Sequence, residues 1–262
     1  MADRPVALVT GASSGIGLAF ATELASTGHD LVLVARDVAR LEALAKELEG
    51  AHSAESEVLF ADLTDELAVH RVQERLADRE RPVDLLVNNA GFGTMGRFAD
   101  LPLERELQEI SCNVLALVRC THAALGGMVE RGRGGVINVA SIAAYQPTPL
   151  NATYGATKAY VSSFSQALHE ELKGTGVKCM VCCPGFTRTE FQKRAGIDSV
   201  DVPDFLWQNA EQVAVIALRD YERGRAVCVP GPLNAATAAF TSFFPSGVTR
   251  RVAGLVLRRA EH

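Results

Sequence analysis

A glycine-rich turn between an apolar segment and a helical pattern constrains the fold of this chain most strongly. The segment from Val6 to Val9 is apolar, Gly11, Gly15 and Gly17 follow it, and a helical pattern begins at Leu18. A short apolar run without alternation is typical of a strand buried on both faces of a parallel sheet. A glycine turn between strand and helix lets the backbone approach a pyrophosphate, which the free N–H groups of the helix attract. The segment therefore predicts a dinucleotide-binding turn.

Strand-like and helix-like segments alternate along the rest of the chain. Further strands are expected at residues 29–35, 57–61, 83–87, 135–140, 177–183 and 226–229. Alternation at such short intervals predicts an α/β fold, a Rossmann-type doubly wound parallel sheet with helices on both faces. Because no repeat, low-complexity tract or linker interrupts the pattern, we expect a single domain over 1–262, in which residues 235–262 form a helical extension.

Residues 103–131 form a long helical pattern that contains one polar exception. We expect a helix that is broken or bent near Asn113, which lies among Val114, Leu115 and Leu117. A buried amide needs hydrogen-bond partners. Asn113 is therefore either a satisfied structural asparagine or a functional residue, and the sequence alone leaves both interpretations open.

The residue after the second strand bears on the choice of cofactor. Arg36 stands there, nineteen residues beyond Gly17. An acid at this place would bond the ribose 2′-hydroxyl, whereas an arginine can bind a 2′-phosphate. Arg36 therefore favours NADP(H), unless it is only a solvated charge. Asp37 complicates this prediction, because it can either cap the next helix or face the ribose.

A tyrosine and a lysine one helical turn apart form the candidate reactive centre. Tyr154 and Lys158 share a face of a predicted helix over 153–173, and Ser141 stands at the carboxyl end of the fifth strand. The lysine charge should favour the phenolate and lower a pKa that starts near about 10. A tyrosine tuned in this way can give or take a proton at a carbonyl or carbinol oxygen. An ordinary amphipathic helix face would show the same spacing.

Charge and composition exclude several classes of protein. The 26 basic residues are outnumbered by 31 acidic ones and are dispersed, which excludes a nucleic-acid partner. Neither a signal peptide nor a run of about eighteen apolar residues is found, so a cytoplasmic location is expected. Cys179 and Cys182 match C-x-x-C, but on a strand this spacing sends the side chains to opposite faces, which argues against a redox or metal site.

The motifs occur in an order that resembles the short-chain dehydrogenase/reductase family, in its short single-domain branch. They are TGASSGIG at 10–17, Asp62-Leu63, NNAG at 88–91, Asn113, Ser141, Tyr154-x-x-x-Lys158 and PGFTRT at 184–189. Each motif is weak alone, but their order and spacing are jointly specific over about residues 5–230. The resemblance implies a seven-stranded parallel sheet and interconversion of a carbonyl and a secondary alcohol by hydride transfer. It implies NADP(H) as the cofactor, with NAD(H) less expected.

The resemblance also implies roles for individual residues. Tyr154 would be the general acid in reduction and the base in oxidation, and Lys158 would hold the nicotinamide ribose and lower the tyrosine pKa. Ser141 would bond the substrate oxygen, and Asn113 would hold a water linking Lys158 to solvent. The residues that would contact the cofactor are Gly11, Ser13, Ser14, Gly15, Ile16, Gly17, Arg36, Asp62, Leu63, Asn89, Ala90, Gly91, Tyr154, Lys158, Pro184, Gly185, Thr187 and Thr189. No metal is expected.

Three segments, 92–97, 142–151 and 186–208, would form the substrate walls. Their large side chains are aromatic or apolar: Phe92, Met95, Tyr145, Leu150, Phe186, Phe191, Phe205, Leu206 and Trp207. Such walls suit a lipophilic substrate. By resemblance to 3-oxoacyl reductases and 17β-hydroxysteroid dehydrogenases, a 3-oxoacyl thioester or a ketosteroid is expected. Residues 196–203 should form a mobile flap.

The C-terminal tail leaves two interpretations open. Phenylalanines cluster at 240, 243 and 244, and arginines follow at 250, 251, 258 and 259. The tail is either a helix on a membrane surface or a helix packed on the subunit or a partner subunit, and the second is favoured. A homodimer or homotetramer is expected. A catalytically silent cofactor-binding regulator or scaffold is the alternative function, although such a protein should lack the tyrosine or the lysine.

Overall fold

A parallel sheet of seven strands forms the centre of the fold in a computed structural model, which describes residues 4–191 and 204–243. The strands are β1 Val6–Thr10, β2 Asp30–Ala35, β3 Ser56–Phe60, β4 Leu85–Asn88, β5 Gly134–Val139, β6 Val177–Cys182 and β7 Val227–Cys228. Their order across the sheet is β3-β2-β1-β4-β5-β6-β7. The predicted doubly wound parallel sheet is thereby confirmed.

Helices connect the strands. They are α1 Gly15–Ser26, α2 Val38–His52, α3 Glu66–Ala77, α4 Leu103–Ile110, α5 Leu117–Arg131, α6 Ala152–Glu171, α7 Ala210–Glu222 and α8 Pro232–Phe243. The expected C-terminal extension thus begins in a helix three residues earlier than predicted. Residues 244–262 and the predicted flap at 196–203 lie outside the described residues.

The two faces of the sheet are covered by different helices. On one face, α1, α2 and α7 bury Phe20, Leu41 and Val213 against alternate residues of the strands. On the other face, α3 and α5 bury Val72 and Met128. Each large apolar side chain removed from water in this way contributes roughly 1.5–3 kcal/mol. Burial on both faces explains why the strands are continuously apolar rather than alternating.

The strand order reverses between β1 and β4. The chain moves outward from β1 to β3, and β4 then pairs with the other side of β1, with Ala7 opposite Leu85. In open α/β sheets this reversal opens a crevice beyond the carboxyl ends of the strands. The glycine-rich turn follows β1 and the NNAG segment follows β4, so both reach this crevice.

The long helical segment over 103–131 changes its winding at the predicted place. Between α4 and α5, residues Ser111–Ala116 form a π-helical segment that includes Asn113. The predicted irregularity is confirmed as a widened turn inside a continuous helix. By length and apolarity Leu103–Arg131 is the one described helix able to cross a membrane, which qualifies the expectation that no such run exists. Since 44% of its most apolar window is buried in the fold, a core helix explains the same observation.

The cysteines are all buried as free thiols. Cys179 belongs to the core beneath α3 and α5, whereas Cys182 belongs to the core beneath α1 and α7. This confirms that the C-x-x-C pair is divided between the faces of the sheet. In the described part of the chain, no group of histidine, cysteine or acidic side chains could hold a metal ion.

Candidate active site

The turn after β1, residues 10–17, requires glycine at two positions. We call this turn the glycine cradle. Gly11 and Gly15 adopt left-handed backbone conformations, with φ of +69° and +57°. A β-carbon on Gly15 would lie 2.9 Å from Cγ2 of Thr189, so this residue closes the turn from the opposite side of the crevice. The side chain of Ser14, the N-cap of α1, makes no capping hydrogen bond. The first N–H groups of α1 therefore lack a side-chain cap, as a pyrophosphate site requires.

Hydrogen bonds between Thr10 and the segment after β4 hold the glycine cradle in place. The hydroxyl of Thr10 accepts from the N–H groups of Asn89 and Ala90, both at 3.0 Å, and the Asn89 amide donates to the Thr10 carbonyl at 2.9 Å. A β-carbon on Gly17 would overlap the Gly11 carbonyl and the Asn89 amide. Asn89 therefore has a positioning task beyond the predicted cofactor contact. Sequence reasoning did not single out Thr10, although it stands directly before Gly11.

On the β2 side of the crevice, the exposed side chain of Arg36 lies beside the carboxylate of Asp62. Arg36 follows β2 directly, and Nη1 of its 62% exposed side chain lies 3.6 Å from Oδ2 of Asp62. Burial alone would raise the pKa of Asp62, but hydrogen bonds from Thr64 and the charge of Arg36 outweigh it and lower that pKa. Asp37 accepts from the backbone N–H of Arg40 at 3.1 Å as the N-cap of α2, which is the first of its two predicted interpretations.

The remaining predicted cofactor contacts lie on the rim of the same crevice. Four of them belong to the turn after β1 and to the ends of β3 and β4: Ser13, Ile16, Leu63 and Gly91. Three others belong to the segment after β6: Pro184, Gly185 and Thr187. The Pro184 carbonyl accepts from Ile142 at 3.0 Å and the Gly185 carbonyl from the Thr187 hydroxyl at 3.1 Å. The structure thus brings the predicted set together around one crevice.

Near the ends of β4 and β5, the crevice brings together the side chains of Ser141, Tyr154 and Lys158. Ser141 caps a short 3₁₀ turn after β5, and its side chain acts on the phenol of Tyr154 in the direction that favours the phenolate. Tyr154 and Lys158 lie one turn apart near the start of α6, with the lysine Nζ 5.6 Å from the centre of the tyrosine ring. Lys158 also donates to the Val139 carbonyl at 2.9 Å. The predicted helix spacing has therefore placed a hydroxyl, a phenol and an ammonium side by side.

The electrostatics of this group differ from the prediction. Burial raises the pKa of Tyr154 to about 12, although the side chain of Ser141 acts in the opposite direction. Burial likewise lowers the pKa of Lys158 to about 8. The expected lowering of the tyrosine pKa is wrong for this arrangement, because desolvation of the phenolate outweighs the influence of Ser141, which lowers this pKa. Tyr154 is therefore a protonated acid at neutral pH.

Asn113 is held by the π-helical segment against the loop after β4. Its amide donates to the Phe92 carbonyl at 2.9 Å and to the Thr157 hydroxyl at 3.1 Å, and its carbonyl accepts from the Phe92 N–H at 3.1 Å. The side chain is 1% exposed and fully partnered, which supports the structural interpretation. A β-carbon on Gly91 would lie 2.9 Å from Asn113 Oδ1 and 3.4 Å from Lys158 Nζ, so the asparagine also borders the lysine.

Two buried glutamates next to this group were not predicted. Glu106 and Glu109 on α4 are 3% and 0% exposed, and the Thr94 hydroxyl lies 2.6 Å from Oε1 of the first and 3.1 Å from Oε2 of the second. The Thr153 hydroxyl, next to Tyr154, also donates to Glu106. The signal was available in the sequence, because Glu109 precedes Asn113 by four residues and so shares its helix face.

The predicted aromatic wall residues form two separate pairs, one of which includes Tyr154. The rings of Phe191 and Tyr154 are 5.5 Å apart, and those of Phe186 and Trp207 are 5.7 Å apart. Phe92 is covered by a guanidinium instead, since Arg105 lies 4.5 Å above its ring. Four other predicted wall residues are partly exposed: Met95, Tyr145, Leu150 and Leu206. Phe205 is 75% exposed and contributes little to an enclosed wall.

The segment between Ser141 and Tyr154 is anchored on the loop after β4. Leu150 has a left-handed backbone, with φ of +64°, and its carbonyl accepts from Gly96 at 2.8 Å. The Asn151 amide donates to the Thr94 carbonyl. A non-glycine residue in this conformation costs about 1–3 kcal/mol and is commonly found where a binding site requires it. The two predicted substrate walls are thereby joined.

A doubly wound parallel sheet with a glycine-rich turn after its first strand is the architecture of a dinucleotide-binding oxidoreductase. A model of the short chain dehydrogenase family matches residues 5–199. A very-long-chain 3-oxoacyl-CoA reductase of Bos taurus is 35% identical over 191 residues, which cover 71% of this chain and 61% of that protein. The chain belongs to the short-chain dehydrogenase/reductase family.

Solved structures agree with this assignment. A short-chain dehydrogenase from Sphingobium yanoikuyae in complex with NADPH superposes with a TM-score of 0.83 at 36% identity, covering 92% of this chain and 96% of that one. A family member from Burkholderia phymatum in complex with NAD gives 0.79 at 26% identity, covering 90% and 92%. Structural relatives of this chain thus bind NADPH or NAD.

Proposed function

We propose that this protein is an NADP(H)-dependent oxidoreductase that interconverts a carbonyl and a secondary alcohol on a lipophilic substrate. The observation that carries the proposal is the grouping of Tyr154 and Lys158 against the loop after β4, with the lysine Nζ 5.6 Å from the centre of the tyrosine ring and Ser141 acting on the phenol. Two hydroxyl groups directed to one point can stabilise negative charge that develops on a carbonyl oxygen. A silent regulator would have no use for this arrangement.

The preference for NADP(H) rests on the cation after β2. Arg36 is exposed at the edge of the crevice, and a guanidinium binds a phosphate through parallel N–H bonds. Asp37, which could have favoured the ribose hydroxyl of NAD(H), is engaged at the N-terminus of α2. Arg36 is therefore the group that would distinguish a 2′-phosphate from a 2′-hydroxyl.

Some residues of the site would bind the cofactor, and others would act on the substrate oxygen. The glycine cradle and the N-terminus of α1 would hold the pyrophosphate, and Lys158 would hold the nicotinamide ribose. When bound, the cofactor supplies the hydride that reduces the carbonyl carbon. Tyr154 donates its proton to the carbonyl oxygen, and Ser141 adds a hydrogen bond that strengthens as charge grows there. With its pKa raised to about 12, Tyr154 is in the acid form that reduction requires at neutral pH.

The substrate class follows from the walls around Tyr154. Phe191 packs against the ring of Tyr154, the loop after β4 approaches the same ring at Gly93, and Phe186 and Trp207 form a second aromatic pair. Such a lining binds an apolar chain or ring system next to the reactive carbonyl. A 3-oxoacyl thioester or a ketosteroid combines both features, and the similarity to a 3-oxoacyl-CoA reductase supports the first.

A matched comparison of the two cofactors tests this proposal. Oxidation of NADPH and of NADH should be followed by absorbance with a panel of 3-oxoacyl thioesters, ketosteroids and small polar ketones. We expect turnover of a lipophilic ketone with NADPH and at least about tenfold less with NADH. Tight binding of NADPH without turnover of any carbonyl in the panel, or of the alcohols in reverse, would favour the silent regulator.

We also propose that the protein forms a homodimer through α4, α5 and α6. Apolar side chains remain exposed on α4, on the π-helical segment, on α5 and on α6, at Leu103, Leu107, Leu115, Val129 and Tyr160. An apolar face that persists over several turns is more typical of an interface than of a solvated surface. Light scattering coupled to gel filtration should give twice the 28.0 kDa mass of the chain. A mass of one chain at micromolar concentration would refute the dimer.

A further inference from the structure

Glu106 is a buried carboxylate whose two oxygens bind two different segments of the chain. The side chain belongs to α4 and is 3% exposed. The Thr94 hydroxyl lies 2.6 Å from Oε1, and the Thr153 hydroxyl donates to Oε2. These two hydroxyls are its hydrogen-bond partners among the described residues. Because a buried carboxylate without donors strongly destabilises a fold, both contacts are needed, and Glu106 joins the loop after β4 to the start of α6.

The two threonines that bind Glu106 are each adjacent in sequence to a residue of the Tyr154 site. Thr153 directly precedes Tyr154 in the first turn of α6. Thr94 directly follows Gly93, where a β-carbon would lie 3.0 Å from Cδ2 of the Tyr154 ring. One carboxylate therefore holds both the residue before the tyrosine and the segment that packs against its ring.

Asn151 adds a second contact between the same two segments. It is the N-cap of α6, but its side chain makes no capping hydrogen bond. The amide donates to the Thr94 carbonyl instead. An asparagine at this position usually binds the first free N–H groups of its helix, which stabilises the helix. The start of α6 is thus held against the loop after β4 through both the carbonyl and the hydroxyl of Thr94.

The distances around Thr94 assign the negative charge to Glu106. A hydroxyl has one proton to donate, and an O–H···O⁻ bond is typically about 2.5–2.7 Å long, as is the contact to Glu106. Oε2 of Glu109 lies farther from the same hydroxyl, at 3.1 Å, and Oε1 of Glu109 has no hydrogen-bond partner among the described residues. Burial raises the pKa of Glu109 to about 7, which agrees with a carboxyl that takes up a proton readily.

We propose that Glu106 is a positioning residue, which sets the place of the Tyr154 phenol by binding Thr94 and Thr153 with one carboxylate. The proposal rests on the function proposed above, since it takes Tyr154 as the proton donor to a carbonyl compound. Proton transfer requires the donor within hydrogen-bond distance of the acceptor oxygen, and a misplacement of about 1 Å can lower the rate about 10²-fold. Loss of the Glu106 contacts should therefore lower kcat and leave NADPH affinity unchanged.

Isosteric removal of one hydroxyl tests this proposal. Thr153→Val should lower kcat about 10- to 100-fold with an unchanged Kd for NADPH, whereas Thr153→Ser, which keeps the hydroxyl, should stay within about threefold of the unaltered protein. Thr22→Val is the matched control, because the Thr22 hydroxyl bonds within α1, and its kcat should not change. Equal kcat values for Thr153→Val and Thr153→Ser would overturn the proposal.

Double-mutant cycles show whether the carboxylate is the link. In a Glu106→Leu background, Thr153→Val should have no further effect on kcat, because the acceptor of its hydroxyl is already absent. The effects of Thr94→Val and Thr153→Val should also combine to less than their product, since both act through Glu106. Independent effects in either cycle overturn the role of Glu106, and the threonine pair decides the question even if Glu106→Leu does not fold.

Amide hydrogen exchange followed by mass spectrometry needs no turnover. Thr153→Val should speed exchange in residues 92–97 at least about threefold, because Glu106 no longer holds this loop to α6 through both hydroxyls. Thr153→Ser and Thr22→Val should leave that exchange unchanged. Unaltered exchange over 92–97 in folded Thr153→Val overturns the link. If the unaltered protein turns over no carbonyl compound, the proposed function fails, and the exchange data still decide whether Glu106 joins the two segments.

Discussion

Replacing Arg36 by alanine should change the choice of cofactor while leaving the site intact. The guanidinium is 62% exposed and lies 3.6 Å from Asp62, so it is screened by solvent and partly neutralised. A hydrogen bond to a charged group contributes about 1.5–3 kcal/mol, and exposure reduces this to about 1.4 kcal/mol. That amount corresponds to about tenfold in the dissociation constant. NADPH should therefore bind about tenfold more weakly, and NADH nearly as before.

Fluorescence titration of both nucleotides measures this change without a substrate. Arg71→Ala, which removes an exposed arginine from α3, is the matched control and should leave both affinities unchanged. Raising the salt concentration should weaken NADPH binding to the unaltered protein and have less effect on Arg36→Ala. Equal weakening of NADH and NADPH, or an equal effect of Arg71→Ala, would refute the assignment of Arg36 to the 2′-phosphate.

A substitution at Asp37 completes this test. Asp37→Asn keeps a good N-cap for α2 but removes the charge. If Asp37 acts only as a cap, NADH affinity should not change and the thermal midpoint should fall little. A loss of NADH affinity larger than about threefold would show that the carboxylate reaches the ribose instead.

Three further substitutions probe the phenol, the ammonium and the cradle. Tyr154→Phe should lower kcat about 10²–10⁴-fold with NADPH affinity retained, because the proton donor is lost; wild-type turnover would contradict this. In Lys158→Met the cofactor-free protein should unfold at a higher temperature at pH 7. Folding lowers the pKa of Lys158 from 10.5 to about 8, so at pH 7 the charged lysine destabilises the folded state by roughly 3 kcal/mol. The penalty disappears as the pH rises from 8 through 10.5, so a gain that persists above that range would exclude this cause. Gly17→Ala should lower the free energy of unfolding by about 1–3 kcal/mol and abolish NADPH binding, since its β-carbon overlaps the Gly11 carbonyl; a melting curve equal to that of Gly50→Ala, whose β-carbon would meet nothing, would contradict it.

The cofactor crevice was largely predictable because its determinants are local in sequence. The left-handed positions of the turn require glycine, so Gly11 and Gly15 indicate the turn directly. A strand buried on both faces needs apolar residues throughout, so an apolar run indicates the strand. The same holds for Tyr154 and Lys158, since a spacing of four residues fixes their common helix face. Element bounds were less accurate, as the two-residue length of β7 illustrates, because the ends of strands depend on their neighbours.

The sequence by itself determined the sheet, the cradle and the members of the catalytic group. Only the tertiary structure decided their electrostatics, because desolvation depends on what packs around a group and not on its neighbours in the chain. For that reason the pKa of Tyr154 is raised rather than lowered, and that of the buried Glu109 is raised to about 7. The π-helical turn also places Asn113 against Phe92 and Thr157, and no local pattern records that contact.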